Sequence, residues 1–253
     1  YNEVAGKLKR VHRVEIDIDG ARAEIAELVG QQQPHLVLLN DDDLAYAKIR
    51  LDDKSWKFAL ENLALFEDSL PRTLVWGAAW DATRDAEANP REFIHLVLNN
   101  IASETESTTM LTLLRQLVTT TNSFVAPHHR NSVISEVGSG LLNLARNAKP
   151  GSDAQLQFTK FFALFANNDQ LLSALQDIRE GKEQLAGLKI DADLNWELLA
   201  GLVVGGRADE SAIDQQLALD NTSNGQKAAA GARAMLPTPA GKEKAWHTLT
   251  QTP

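Results

Sequence analysis

Residues 44–66 read LAYAKIRLDDKSWKFALENLALF, and the hydrophobic period changes inside this stretch. Ala45, Ala47, Ile49 and Leu51 share one face while Lys48 and Arg50 point to the other, the alternation of a half-buried strand. Beyond that, Trp56, Leu60, Leu63 and Phe66 trace one face at the helical period. The change near residue 52 predicts a β portion over residues 1–52 and a helical portion over residues 53–253.

Toward the N-terminus, Val14, Ile16 and Ile18 alternate with Glu15, Asp17 and Asp19. Asp19-Gly20 then supplies residues that a tight hairpin turn prefers, because both central positions need positive φ. Residues 36–39 (LVLL) and 44–51 read as two more strands joined by the polar turn Asn40-Asp41-Asp42-Asp43. So small a sheet cannot bury both faces alone. The spacing therefore predicts the edge of a β-sandwich whose other strands lie elsewhere.

Toward the C-terminus the pattern stays helical. Pro71 and Pro90 fit the first turn of a helix, where proline is tolerated. Asn89 followed by Glu92 reads as an N-cap with its partner three residues on, and so does Ser103 followed by Glu106. Further helices are predicted over 107–124, 131–147, 153–166, 169–180, 192–204, 209–219 and 226–235. Phe158, Phe161, Phe162 and Phe165 recur at the spacing of a helix–helix seam. Short Gly-, Pro- or Asn/Asp-bearing connections make neighbouring helices antiparallel. The expected fold is mainly α: a superhelical array of antiparallel helix pairs of the HEAT/armadillo kind, preceded by a small β-sandwich portion.

A chain of 253 residues can bury a substantial core in one or two domains. Its 43% hydrophobic and 23% charged content is ordinary for a globular protein. The net charge of −9 argues against nucleic acid or an anionic membrane as partner, since both call for a basic surface. No apolar run approaches the ~20 residues of a membrane-spanning helix, and no signal peptide opens the sequence. Zero cysteines remove disulfides, thiolate metal sites and cysteine nucleophiles together, which fits a cytoplasmic setting. The chain opens on Tyr1 instead of methionine, so a piece of a longer polypeptide is expected.

Catalytic patterns are scarce. None of His12, His35, His95, His128, His129 and His247 is followed by glutamate, so the His-Glu-x-x-His zinc pattern is absent. His128 and His129 would point roughly 100° apart on a helix and could not share a metal by themselves. Gly138-Ser139-Gly140 lacks the last glycine of a dinucleotide fingerprint and follows no strand, and no nucleophile elbow or phosphate loop appears. Asp41-Asp42-Asp43 lacks the remaining ligands of a calcium loop. The stretch LPRTLVWGAAWDATRDAE (70–87) remains: Trp76 and Trp80 on one helical face, and Asp81, Arg84 and Asp85 as an i, i+3, i+4 set on another. Such a set is either a catalytic carboxylate pair tuned by other elements or an intrahelical ion-pair group, and the second reading is the simpler.

Three stretches in order carry a resemblance: LVLLNDDDLAYAKIRLD (36–52), LPRTLVWGAAWDATRDAE (70–87) and LALDNTSNGQKAAAGARAMLPTPAGKEKAW (217–246). They resemble the C-terminal region of the zinc-dependent aminopeptidase N family of actinobacteria, the region shared with endoplasmic-reticulum aminopeptidases. The likeness runs from about residue 10 to the end. It implies a β-sandwich module followed by a helical superhelix, with residues 1–52 as the last sandwich strands and the helical array truncated at its C-terminal end. The family's His-Glu-x-x-His pair, downstream glutamate ligand, Gly-Ala-Met-Glu-Asn motif and catalytic tyrosine have no counterpart in these residues. The resemblance therefore assigns no catalytic or metal residue here, and leaves the substrate-binding residues unknown. It implies zinc and peptide hydrolysis in upstream domains of the same chain, with this segment walling off the active site and controlling peptide access. Two other readings predict different behaviour: a free-standing helical-repeat scaffold would bind a partner alone, and an independent Ser/His/Asp hydrolase would turn over substrate alone.

Overall fold

The computed structural model of the protein describes residues 1–251. A short antiparallel ribbon, β1 (Asn2–Val4) and β2 (Lys7–Lys9), opens the chain, with Asn2 opposite Lys9 and Val4 opposite Lys7. Ala5 and Gly6 both take positive φ at its turn, the backbone that a two-residue hairpin loop requires. Helices follow: α1 (Asp53–Asn62), α2 (Ser69–Arg84), α3 (Pro90–Asn100), α4 (Ser107–Thr119), α5 (Pro127–Asn147) and α6 (Asp153–Phe165). The series continues with α7 (Asp169–Arg179), α8 (Ala192–Val204), α9 (Glu210–Leu219), α10 (Ser223–Met235) and α11 (Pro239–Gln251). The chain divides into two compact units, one ending at Thr120 and one beginning at Thr121.

Side-chain caps set most helix starts. Asp52 accepts from the amides of Lys54 and Ser55, so α1 begins where the sequence changes period. Asn89 caps α3 through the amide of Arg91, with Pro90 in the first turn. Asn168, Asp191, Asp209 and Thr222 cap α7 to α10 in the same way. Ser103 is a correction. It closes a 3-10 turn (Ile101–Ser103), and its hydroxyl donates to the carbonyl of Asn100, 2.7 Å away. Glu106 itself stands at the N-cap of α4 and makes no capping bond.

The predicted strands are a second correction. Residues 14–18, 36–39 and 44–51 form no strand, with Leu39 in a turn and Ala45 at a bend, and β1–β2 is the only sheet among the described residues. A strand needs a neighbour to receive its amides and carbonyls, and here the backbone pairing stops at one residue: Leu36 donates its amide to the Tyr1 carbonyl at 3.1 Å and accepts from the Tyr1 amino group at 2.8 Å. Ile16 and Ile18 accordingly lie exposed instead of lining a buried face. Leu36 and Ile49 are buried individually, and the amide of Val37 donates to Ser55 Oγ of α1.

In the first unit α3 is central, packing against α1, α2 and α4. Its Phe93, Ile94, Leu96 and Val97 are buried. Asn100 fastens the end of α3 to α1: its amide nitrogen donates to the carbonyls of Leu60 and Leu96, and its oxygen accepts from the amide of Ala64. The second unit is layered. Helices α6, α8 and α10 contact one another in succession, while α5, α7, α9 and α11 each pack against a member of that row. Phe158, Phe162 and Phe165 are buried in this core and Phe161 is half-buried, so the aromatic stripe is a packing seam. Gly201 lets α8 approach α6 closely, because a Cβ there would lie 2.5 Å from the carbonyl oxygen of Ala163. Helix α11 lies beyond the predicted helices. Its signal is Thr238-Pro239, since Thr238 Oγ1 accepts from the amide of Gly241.

Candidate functional site

The candidate face of α2 is divided by its geometry. Trp76 is buried and its indole nitrogen donates to Glu104 Oε1 at 2.7 Å. Arg72, one turn earlier, donates from Nε to the same oxygen at 2.5 Å, and from another guanidinium nitrogen to the carbonyl of Phe66 at 2.7 Å. Glu104 is thus buried against Arg72 and Trp76, with its carboxylate accepting from both. Trp80 packs at 5.6 Å from the ring of Phe93 on α3.

The outer face of α2 holds the acid–base set. Arg84 bonds Asp81 at 2.8 Å and approaches Asp85 at 3.8 Å. Asp85 also accepts from Lys48 at 2.7 Å and Arg50 at 2.6 Å, and Arg50 in turn pairs with Glu87. The bond from Lys48, followed by that from Arg50, holds the Asp85 carboxyl below the usual carboxylate range. A general acid needs the opposite shift, toward neutrality. The set is a solvent-facing ion-pair network that ties α2 to the extended segment 44–51, in accord with the simpler of the two sequence readings.

The other candidates resolve similarly. His128 and His129 sit exposed in the first turn of α5, with ring centroids 4.1 Å apart. Asp41 accepts from the Tyr1 hydroxyl, and Asp41 and Asp42 pair with Arg10 and Arg13. Asn40 and Asp43 hold positive φ, so this acidic stretch is a tight, ion-paired turn. Among the described residues no group of three His, Asp or Glu side chains converges to hold a metal ion. An open groove of about 510 Å³ in the first unit is lined by Trp56, Ala78, Ala82, Glu92 and their neighbours.

One recurring arrangement escaped the sequence reading. Three tryptophans each donate their indole N–H to a carboxylate from a later element: Trp56 to Glu92 at 2.6 Å, Trp76 to Glu104, and Trp196 to Asp220 at 2.9 Å. A buried indole N–H needs an acceptor, so each tryptophan signalled a partner, although sequence does not say which acid. These carboxylates are structural pins.

Comparison with known proteins supplies what the geometry leaves open. The family model for the ERAP1-like C-terminal domain matches residues 36–253. The chain belongs to that family. It is also 39% identical over 248 residues to aminopeptidase N of Streptomyces lividans, an alignment that covers 98% of this chain and 29% of that protein. The chain therefore spans less than a third of the relative it matches, and corresponds to a C-terminal fragment. Both findings agree with the resemblance carried by residues 36–52, 70–87 and 217–246.

Proposed function

We propose that this chain is the accessory C-terminal segment of a zinc-dependent aminopeptidase that removes N-terminal residues from peptides. The observation that carries the reading is the match to an aminopeptidase N along almost the whole chain while most of that relative lies outside it. The first and second units contribute a wall: the helices form a superhelix that closes over the active site, excludes folded protein and admits short peptides. Residues 1–52 complete a β-sandwich with other domains of the same polypeptide. Their exposed Ile18, Leu44 and Tyr46, on backbone without strand partners, support that role. Zinc, suggested by the match to an aminopeptidase N, would be held by the remainder of the polypeptide and would supply an activated water for hydrolysis. This segment provides exclusion and length selection, and no bond-making group. A cytoplasmic setting fits a chain without cysteine.

The test compares this chain with the full-length polypeptide on aminoacyl-4-nitroanilides and on a series of alanine peptides of rising length. The expected result is no turnover by the chain alone, chelator-sensitive turnover by the full-length protein, and a fall in rate beyond a threshold peptide length. Turnover by the isolated chain would overturn the reading. Rates indifferent to length would leave the access role without support and favour a binding scaffold.

A further inference from the structure

All the buried side-chain polar atoms that lack a hydrogen-bond partner in the protein, among the described residues, fall between Thr120 and Arg130. They are Oγ1 of Thr120, Oγ1 of Thr121 and Nε of Arg130. The two threonines open a π-helical turn, Thr120–Phe124, directly after α4. The wider π turn is rare and is commonly found as a single-turn interruption at functional positions. Its sequence is permissive: residues 119–123 read TTTNS, five consecutive residues of modest helix propensity whose side chains compete with the backbone for hydrogen bonds.

Other threonines in this chain show what is missing. Thr83, Thr112, Thr119 and Thr159 each donate their hydroxyl to the carbonyl four residues back, at 2.8, 2.9, 3.1 and 2.8 Å. In the π turn that bond is not made, although Thr120 and Thr121 are both fully buried. The next helix start is weak as well. Ala126 precedes α5 and provides no side-chain cap, whereas α6 to α10 all have one. Finally, the chain passes from one compact unit to the next at Thr120–Thr121.

We propose that the π turn and the uncapped first turn of α5 form a built-in hinge, a segment that opens locally while α4 and the body of α5 stay folded. Unmet buried hydroxyls favour the opened state, because opening returns them to water. The missing cap lowers the cost of unwinding Pro127–Arg130 in the same step. Folded proteins open locally at their least stable segments, well below the free energy of global unfolding. The hinge stands on local geometry and does not depend on the peptidase reading.

Amide hydrogen exchange on this chain, followed residue by residue, is the test. We expect amides of residues 121–126 to exchange at least about tenfold faster than those of 113–117 in α4 and 137–142 in α5. Thr120→Val with Thr121→Val keeps the side-chain shape and removes both hydroxyls, so exchange at 121–126 should slow by about tenfold while both helices stay unchanged. Protection at 121–126 equal to that of the flanking helices would overturn the hinge. Unchanged or faster exchange in the valine variant would overturn the hydroxyls as its cause. Each single substitution is read in the same way if the double variant does not fold, and the wild-type comparison needs no variant.

Discussion

Glu104→Ala should be among the most damaging single substitutions in the first unit. The Glu104 and Arg72 side chains are 1% and 5% exposed, and the carboxylate holds both Arg72 and the indole of Trp76. Removing it leaves a buried guanidinium with the Phe66 carbonyl as its remaining partner, and an indole N–H with none from Glu104. Breaking a buried ion pair from one side costs about 3–5 kcal/mol, because the surviving charge stays desolvated. For a chain of this size each kcal/mol moves a thermal midpoint by about 2–4 °C, so the loss should be roughly 6–20 °C. Differential scanning calorimetry would read it. Glu104→Gln, which keeps an acceptor in place, should lose less. Replacing the whole group with Arg72→Met, Glu104→Leu and Trp76→Phe should recover most of the lost stability. A Glu104→Ala midpoint within about 2 °C of wild type, less than 1 kcal/mol on this scale, would refute the reasoning.

Two glycine substitutions should move in opposite directions. Gly201→Ala pushes a methyl against the Ala163 carbonyl and Leu175 and should cost about 1–3 kcal/mol, whereas Gly77→Ala in α2 meets nothing within 4 Å and should gain about 0.5–1 kcal/mol, both read by urea unfolding. Glu67 accepts from Lys7 and from Lys9 at 2.8 Å, and the Lys7 bond, then the Lys9 bond, pulls its carboxyl down from 4.5 to about 2. Since the folded value is depressed, the anchorage of the β1–β2 ribbon should be complete above pH about 4.5 and lost as pH falls toward about 2, a titration visible by NMR and weakened by salt. Trp196→Phe removes the indole bond that, ahead of the Thr222 hydroxyl, holds the Asp220 carboxyl low, so that carboxyl should titrate at higher pH in the variant.

The helices were legible because their cues are local. Asp52, Asn89, Ser152 and Asn168 announce starts that depend on residues two or three positions away. Strands are different. The alternation of Val14, Ile16 and Ile18 fits a strand, but a ladder depends on a neighbour that the local sequence does not specify. Ser103 shows the limit of the cap rule: Ser-x-x-Glu has the spacing of a capping box, yet the 3-10 turn ahead of it takes the hydroxyl for Asn100. Asp81, Arg84 and Asp85 were correctly paired from their spacing, whereas Lys48 and Arg50, more than thirty residues away, could not be assigned to Asp85. Glu104 lay in the polar run SETES, where nothing local marks one acid as buried.

The tryptophan–carboxylate pins bear on how such a chain keeps its shape. With the short β1–β2 ribbon as the only sheet among the described residues, each helix is positioned by its immediate neighbours, and small errors accumulate along the series. Hydrophobic contact alone resists separation better than sliding, because burial depends on area more than on register. A hydrogen bond from an indole to a carboxylate is directional and fails within a fraction of an ångström to an ångström. Trp56 to Glu92 fixes α1 against α3, Trp76 to Glu104 fixes α2 against the turn after α3, and Trp196 to Asp220 fixes α8 against the end of α9. Each pin joins residues 24 to 36 positions apart, about one helical hairpin of chain. Register is thus set locally within each unit, while Thr120–Phe124 has unmet hydroxyls in place of such a pin. Stiffness and the capacity to open are consequently written into different segments of one helical series.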